Sequence, residues 1–350
     1  MSIRVIFDQF FYFSLDVEPV LRWNTTGITV GGVTGQLGNA TNKLYYPMGL
    51  YVDWANTLYI ADQYNNRIQK YVRSASFGTT IAGDSTGLNG SALSCLYYPA
   101  DVTVDSNGNI YVSDAWNHRV QLWNYNASAG TTIAGITGLI FYRIFFLLFK
   151  IDVLIGSPGN ALNQLNDLRG IVRNLVKNAI YVADCGNHRV MYYGVNATNG
   201  TIVAGGNGPG PNVTQLWCPY GIHFDDVSNS LIIANLGAHN IIRWKMGAPR
   251  WMLVAGTLNG TNGTTSSSLQ SPRDVILDPM GNAYIADSGN HRVVLFYPNR
   301  SVGKTIVGIT NVIGNNASLF NYPISIAFDN QLNLYVSDYE NHRIQKFLRY

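Results

Sequence analysis

The sequence predicts an all-β protein, a six-bladed β-propeller built from four-stranded antiparallel blades. One signature returns six times, as in YVSDAWNHRVQLW (111–123) and YIADSGNHRVVLF (284–296). Neighbouring copies lie 51 or 52 residues apart at every step but one. Each period holds four short runs rich in β-branched and aromatic residues, separated by turn-forming sequences. Four strands per unit at a period of about fifty residues are typical of a propeller blade.

The other four copies show where the repeat is strict and where it has degraded. They read YIADQYNNRIQKY (59–71), YVADCGNHRVMYY (181–193), IIANLGAHNIIRW (232–244) and YVSDYENHRIQKF (335–347). The copy at 232–244 carries Asn235, Ala238 and Asn240 where the others carry Asp, Asn and Arg. Six signatures indicate six blades, one of them degraded.

The two ends of the chain predict how the ring closes. A glycine-ended run recurs at 80–83, 132–135, 201–205, 252–256 and 305–308, where it would form the fourth strand of a blade. A sixth relative, ITVGG (28–32), precedes the first complete unit, and the last unit stops after its third strand. We expect residues 28–32 to pair with 344–347, which completes the sixth blade and leaves no open sheet edge.

The repeat resembles a known family. Pro-x-Gly-hydrophobic followed by Tyr-Val-Ala-Asp-x-x-Asn-His-Arg-Val is similar to the NHL repeat, over about residues 20–350. The resemblance implies a six-bladed propeller. It also implies a wide range of roles: recognition of protein, RNA or glycan, receptor ectodomains, substrate-binding ends of ubiquitin ligases, and the catalytic core of peptidyl-α-hydroxyglycine amidating lyases. Function therefore has to be argued from the site.

Two segments stand outside this single propeller of residues 20–350. Residues 1–19 form a leader of uncertain status, because Asp8 interrupts the apolar stretch and no cleavage site follows it. The long step, 70 residues from Asp114 to Asp184, contains an atypical apolar insertion at 139–155. Charged residues break the insertion, so a transmembrane helix is not expected. It is interpreted as a translated intron, with a genuine apolar insertion or a membrane-contacting loop as alternatives, and we expect it outside the ring.

Charge and glycosylation sequons bear on partners and location. The net charge is +3 with no run of Lys or Arg, which makes a nucleic-acid partner unlikely. Eleven Asn-x-Ser/Thr sequons fall in predicted loops and predict an extracellular or secretory-pathway glycoprotein, with compositional drift as the alternative. The sequon asparagines are Asn24, Asn39, Asn89, Asn126, Asn196, Asn199, Asn212, Asn259, Asn262, Asn299 and Asn316.

Of the three cysteines, Cys185 and Cys218 are expected near one seam between blades, either as a disulfide or as separate thiols.

A histidine recurs at one position of the signature, and this invites a metal hypothesis. One histidine per blade, midway out from the axis, places neighbouring rings too far apart to share an ion. We therefore expect no metal site and no cofactor, and assign the histidines to the blade scaffold together with the signature Asp and Arg residues. The histidines are His118, His188, His239, His291 and His342, with Asn66 in the sixth copy.

A binding site should use positions that differ between blades. After ring closure, blades six, one and two are neighbours, and only they carry aromatic residues just after the signature Asp: Tyr339, Tyr64 and Trp116. We expect an aromatic arc on one face, suited to glycans, peptides or exposed bases. Scattered surface aromatics in a Tyr-rich chain are the alternative.

A second candidate lies where the first strands begin, at the mouth of the central channel. Arg169, Tyr220 and Arg273 are expected to crowd this mouth on the same face, where two arginines could hold an anion or carboxylate.

These observations favour a non-enzymatic recognition propeller, a monomeric domain that binds protein, peptide or glycan on one face. One alternative is a metal-dependent lyase or hydrolase in the channel, for which the off-pattern candidates are His223, Asp101 and Asp274. A second alternative is a ligase-type substrate-recognition or RNA-binding propeller.

Overall fold

The computed structural model describes residues 21–136, 158–174 and 176–350. Its described strands form six separate sheets, each of four antiparallel strands. The other regular elements in these ranges are six single 3₁₀ turns, one per sheet. The prediction of an all-β, six-bladed propeller is confirmed.

Each blade takes four strands in chain order, except that the first strand of the chain belongs to the last blade. Blade one contains β2 (Pro47–Val52), β3 (Leu58–Asp62), β4 (Arg67–Tyr71) and β5 (Thr79–Ala82). Blade two contains β6 (Pro99–Val104), β7 (Ile110–Asp114), β8 (Arg119–Trp123) and β9 (Thr131–Ala134). Blade three contains β10 (Leu168–Asn174), β11 (Ala179–Asp184), β12 (Arg189–Tyr193) and β13 (Thr201–Gly205).

The second half of the ring follows the same pattern. Blade four contains β14 (Pro219–Asp225), β15 (Ser230–Asn235), β16 (Asn240–Lys245) and β17 (Met252–Gly256). Blade five contains β18 (Asp274–Leu277), β19 (Ala283–Asp287), β20 (Arg292–Phe296) and β21 (Lys304–Gly308). Blade six contains β22 (Pro323–Phe328), β23 (Leu334–Asp338), β24 (Arg343–Phe347) and, as its outer strand, β1 (Ile28–Gly32).

Pairing of β1 with β24 closes the ring, as the offset of the repeats predicts. The register runs from Ile28 opposite Lys346 to Gly32 opposite Arg343. Just before β1, the indole of Trp23 is buried and stacks on Phe328, with ring centroids 5.8 Å apart. The start of the described chain is thus packed against the last blade, which stabilises the closure by burying apolar surface.

The turn between the second and third strands fixes the geometry of every blade. In blade two this turn is Ala115–Asn117, followed by His118 with a left-handed φ of 51°. The same position is left-handed in all six blades. Asn and His tolerate this conformation better than most residues, which accounts for their recurrence there.

Strand direction divides the ring into two faces. The upper face carries the turns between second and third strands, the loops between blades and the starts of the first strands. The lower face carries the other two turns of each blade. Buried aliphatic side chains fill the spaces between neighbouring sheets, as Val102, Val112 and Val182 do between blades two and three. The packed interior therefore holds the blades together and leaves the upper-face loops available for function.

The two atypical segments, residues 1–19 and 139–155, lie outside the described residues, and their interpretations stay predictions. Within the described ranges, no helix has the length and apolar character needed to cross a membrane.

Candidate functional site

The signature residues form one buried cluster per blade. In blade two the Asp114 carboxylate accepts hydrogen bonds from the Tyr97 N–H (2.7 Å), Asn117 Nδ2 (2.8 Å) and Arg119 Nε (2.8 Å). The Arg119 Nη atoms donate to carbonyl oxygens of the loop that leads into the blade. Blades one, three, five and six repeat this cluster. Apart from Asn290 Oδ1 in blade five, which is buried without a partner, the cluster's side chains bond one another or the loop backbone, so the cluster serves the scaffold.

The signature histidines join each blade to the next. His118 Nδ1 accepts the backbone N–H of Asp167 at 3.3 Å, and Asn66 Oδ1 accepts that of Tyr98 at 3.0 Å. Equivalent bonds occur at the other four junctions. Burial lowers the pKa of all five histidines, which favours the neutral ring that Nδ1 needs in order to accept. Each histidine is thus engaged in its own junction.

The degraded blade four replaces the ion pair with an amide pair. Asn235 Oδ1 accepts the Trp217 N–H at 2.6 Å, and Asn235 Nδ2 donates to Asn240 Oδ1 at 3.1 Å. The same backbone contact is kept without any buried charge.

Aromatic side chains form a continuous arc on the upper face. The arc runs from Tyr339 through Tyr46, Tyr64 and Tyr98 to Trp116, with successive ring centroids 4.7 to 4.8 Å apart. Tyr64 is 39% exposed and Trp116 50% exposed, while the others are half-buried. The structure therefore brings together the three aromatic residues singled out from the sequence, along one rim.

Sequence reasoning missed the two rings that connect them. Tyr46 and Tyr98 immediately precede the first strands of blades one and two, and both have a left-handed φ, 53° and 48°. Tyr45 and Tyr97 pack beside them on the same rim. The available signal was the pair of Tyr-Tyr-Pro sequences at 45–47 and 97–99, which no other blade has.

The channel mouth beside the arc is built from arginine and tyrosine. The Arg169 and Arg273 guanidinium carbons lie 5.3 and 5.1 Å from the Tyr220 ring centroid, on side chains from three successive blades. Arg273 is also 5.1 Å from the Tyr322 ring centroid. These are cation–π contacts. The three residues singled out from the sequence thus meet at the mouth.

Two carboxyl groups line the channel directly beneath. Asp101 accepts the N–H groups of Val102 and of Ile171 in the next blade, at 2.9 and 2.8 Å. Asp274 accepts those of Val275 and of Ile326 in the next blade, at 2.8 and 2.9 Å. Burial raises the pKa of Asp101 to about 8 and that of Asp274 to about 6. Both groups connect inner strands of neighbouring blades.

The charged groups that influence the pKa of His223, the third off-pattern candidate, are Asp225, Asp226 and Arg243. It lies on β14 two residues beyond Gly221, and burial lowers its pKa. Among the described residues, no group of three or more His, Cys, Asp or Glu side chains is arranged to hold a metal ion.

The structure also positions the residues that bear on location. A disulfide joins Cys185, in the 3₁₀ turn of blade three, to Cys218, just before blade four, whereas Cys95 is buried and free. All eleven sequon asparagines are exposed and lie outside the strands.

These features define the class of protein: a closed six-bladed β-propeller with a buried Asp–Asn–Arg cluster in five blades. The model of the NHL repeat matches residues 44–71, 96–122, 269–296 and 320–347, which are the cores of blades one, two, five and six. The chain therefore carries NHL repeats in at least four of its six blades.

Two curated relatives are similar over most of this chain. The chain is 25% identical over 284 residues to the protein SUPPRESSOR OF QUENCHING 1, chloroplastic, of Arabidopsis thaliana, covering 73% of this chain and 25% of the relative. It is 24% identical over 350 residues to NHL repeat-containing protein 2 of Gallus gallus, covering 87% of this chain and 46% of the relative. The chain thus spans less than half the length of either.

Solved structures share the fold at low identity. An auxiliary nutrient binding protein from Bacteroides thetaiotaomicron has a TM-score of 0.64 at 14% identity, over 94% of this chain and 77% of its own. A gluconolactonase from Xanthomonas campestris has a TM-score of 0.58 at 13% identity, over 93% and 97%. Binding proteins and enzymes both use this architecture, so the fold does not decide between the two functions.

Proposed function

We propose that this propeller is a non-enzymatic recognition module that binds a protein, peptide or glycan ligand on its upper face. The observation that carries the proposal is the continuous arc from Tyr339 to Trp116 beside the arginines of the channel mouth. Trp, Tyr and Arg are the residues that dominate binding energy at interfaces. Here they occupy positions that differ between blades, while the repeated residues are used by the scaffold.

The bonding of the channel carboxyls weighs against a channel-sited lyase or hydrolase. Such an enzyme needs acids or bases that can reach a reactant. Both oxygens of Asp101 and of Asp274 already accept backbone N–H groups from two blades. A ligase-type or RNA-binding role has no supporting feature of its own, since the net charge is only +3.

We also propose an extracellular or secretory-pathway location. The eleven exposed sequons and the Cys185–Cys218 disulfide support it, because disulfides persist in oxidising compartments. Expression in a secreting eukaryotic cell tests this proposal. The chain should gain mass that an N-glycosidase removes, and a chain secreted without any glycan would contradict it.

Ligand screening on both faces tests the recognition function. The full chain is screened against a phage-displayed library of short random peptides and against a glycan array. Any ligand found should be lost when Tyr64, Trp116 and Tyr339 are all replaced by Ala. Trp54→Ala is the matched control, because Trp54 is 85% exposed on the lower face. A ligand that binds the triple variant unchanged, or that is lost in Trp54→Ala instead, would sink the proposal.

A further inference from the structure

Arg273 has a distinctive environment at the channel mouth. Its guanidinium is held between the rings of Tyr220 and Tyr322 at 5.1 Å from each centroid. Within the described ranges its side chain makes no hydrogen bond or ion pair, and its Nε is buried without a partner. Arginines usually have several of their five donors satisfied, so this group is pre-positioned with its donors unused.

Arg169, on the other side of Tyr220, is only partly neutralised. It makes one ion pair, with Asp167, and its Nε is also buried without a partner. The carboxyls beneath, Asp101 and Asp274, accept backbone N–H groups and make no direct contact with either guanidinium. Burial raises the pKa of Asp101 to about 8, so this carboxyl is largely neutral at pH 7, whereas Asp274, with a pKa of about 6, stays mostly ionised. The mouth therefore presents two guanidinium groups, each with a buried Nε that has no partner among the described residues, above one largely neutral and one ionised carboxyl.

The space at the mouth sets the size of the group it can take. The cavity lined by Arg169, Tyr220, Arg273, Asp101 and Asp274 is about 20 Å³. A cavity of this volume holds one water-sized group, which excludes a whole side chain or sugar ring. A carboxylate meets the requirement, because one oxygen can enter while the planar group lies against a guanidinium.

The aromatic arc begins at this mouth and leads away from it. The Tyr339 ring is close enough to Arg273 and Tyr220 for their charges to influence its pKa, which burial raises. The ring planes then tilt against one another by 32° to 90° along the arc. Neighbouring rings partly cover each other's faces and leave edges and hydroxyls open, which suits peptide groups better than flat stacking of sugar rings.

We propose that the upper face binds an extended acidic peptide segment, with one carboxylate at Arg273 and Arg169 and the adjoining residues along the arc toward Trp116. This inference rests on the proposed recognition function and specifies its ligand class.

Peptide selection followed by paired substitutions tests the inference. The full chain is panned against a phage-displayed library of short random peptides, and the best binder is synthesised. We expect selected peptides to carry Asp, Glu or a free C-terminal carboxylate. Arg273→Gln should weaken binding by about tenfold or more, and so should replacing that carboxylate with the amide. The two changes together should cost little more than either alone, because they remove one contact.

Matched controls separate charge from folding. Arg250→Gln removes one positive charge from the lower face and should leave affinity unchanged. Arg273→Lys should retain part of the affinity, since it keeps the charge and loses the planar group. Thermal unfolding of each variant shows that it is folded.

The outcomes distinguish this inference from the broader proposal. Neutral peptides that need Trp116 but are insensitive to Arg273→Gln would overturn the carboxylate site and leave the recognition function standing. Binding of acidic glycans, with no peptide selected, would overturn the peptide assignment in the same way. Ligands insensitive to both Trp116→Ala and Arg273→Gln would overturn both.

Discussion

Blades one and two differ from blades three to five in the side chain of one turn residue, whose backbone makes the same hydrogen bond in all five blades. In each of these blades the second residue of the 3₁₀ turn donates its N–H to a backbone carbonyl of the loop that leads into the first strand. The turn residue that donates this N–H is aromatic in blades one and two (Tyr64 and Trp116). It is glycine in blades three to five (Gly186, Gly237 and Gly289). At Gly237 an added Cβ would lie 2.5 Å from the Trp217 ring, so the loop residue occupies the space that the missing side chain leaves.

This difference teaches how the fold separates stability from recognition. The backbone bond, the Asp–Asn–Arg cluster and the histidine junction recur around the ring and satisfy the buried polar groups. The side chain of the second turn residue differs between blades, because these scaffold hydrogen bonds use only its backbone. Blades one and two place Tyr64 and Trp116 of the arc at this position, and blade six adds Tyr339 from the first residue of its turn. The predictions below test the separation.

Removing the closing strand should have the largest effect on stability. Deleting residues 1–33 removes β1 and Trp23, so blade six loses its outer strand and β24 becomes an exposed edge. We expect a larger fall in Tm, by calorimetry or circular dichroism, than any single substitution causes. A truncated chain of unchanged Tm would contradict the closure.

Breaking one buried ion pair should come next. Arg119→Ala leaves the Asp114 carboxylate buried without its cation, which should lower the free energy of unfolding by about 3–5 kcal/mol in urea titration. Blade four supplies the control. Asn240→Ala breaks an amide pair that holds no charge and should cost about 1–3 kcal/mol. Equal losses in the two variants would show that the buried charge is not what blade two depends on.

Acidification should weaken the histidine junctions by a smaller amount. An unfolded histidine has a pKa of about 6.5, and burial lowers the pKa of these five in the folded protein. The unfolded chain therefore binds more protons, and the stability that these groups contribute above pH ~6.5 is lost as the pH falls through their folded values. His118→Asn, which copies Asn66, should flatten the pH dependence of unfolding free energy between about pH 7 and 5. An unchanged slope would contradict the junction role.

The sequence predicted the fold almost completely because the repeat is local and strict. Six signatures and the offset of ITVGG (28–32) were enough to place the closing strand. The candidate site was predicted only in part. Tyr339, Tyr64 and Trp116 were found because they follow the signature Asp. Tyr46 and Tyr98 adopt a left-handed backbone in loops, and a tyrosine in the sequence does not predict that conformation. The unused donors of Arg273 depend on side-chain packing across three blades, which the spacing of residues along the sequence cannot show.

The separation of scaffold from binding face is tested most directly by one paired measurement on Trp116→Ala, its Tm and its affinity for a selected ligand. The side chain is 50% exposed and outside the signature cluster but packs on Tyr98, so we expect a stability loss of about 1 kcal/mol, well below that of Arg119→Ala. Affinity should fall by about 2 kcal/mol, roughly thirtyfold. A variant that loses stability substantially while binding its ligand as tightly as the unmodified chain would contradict the account.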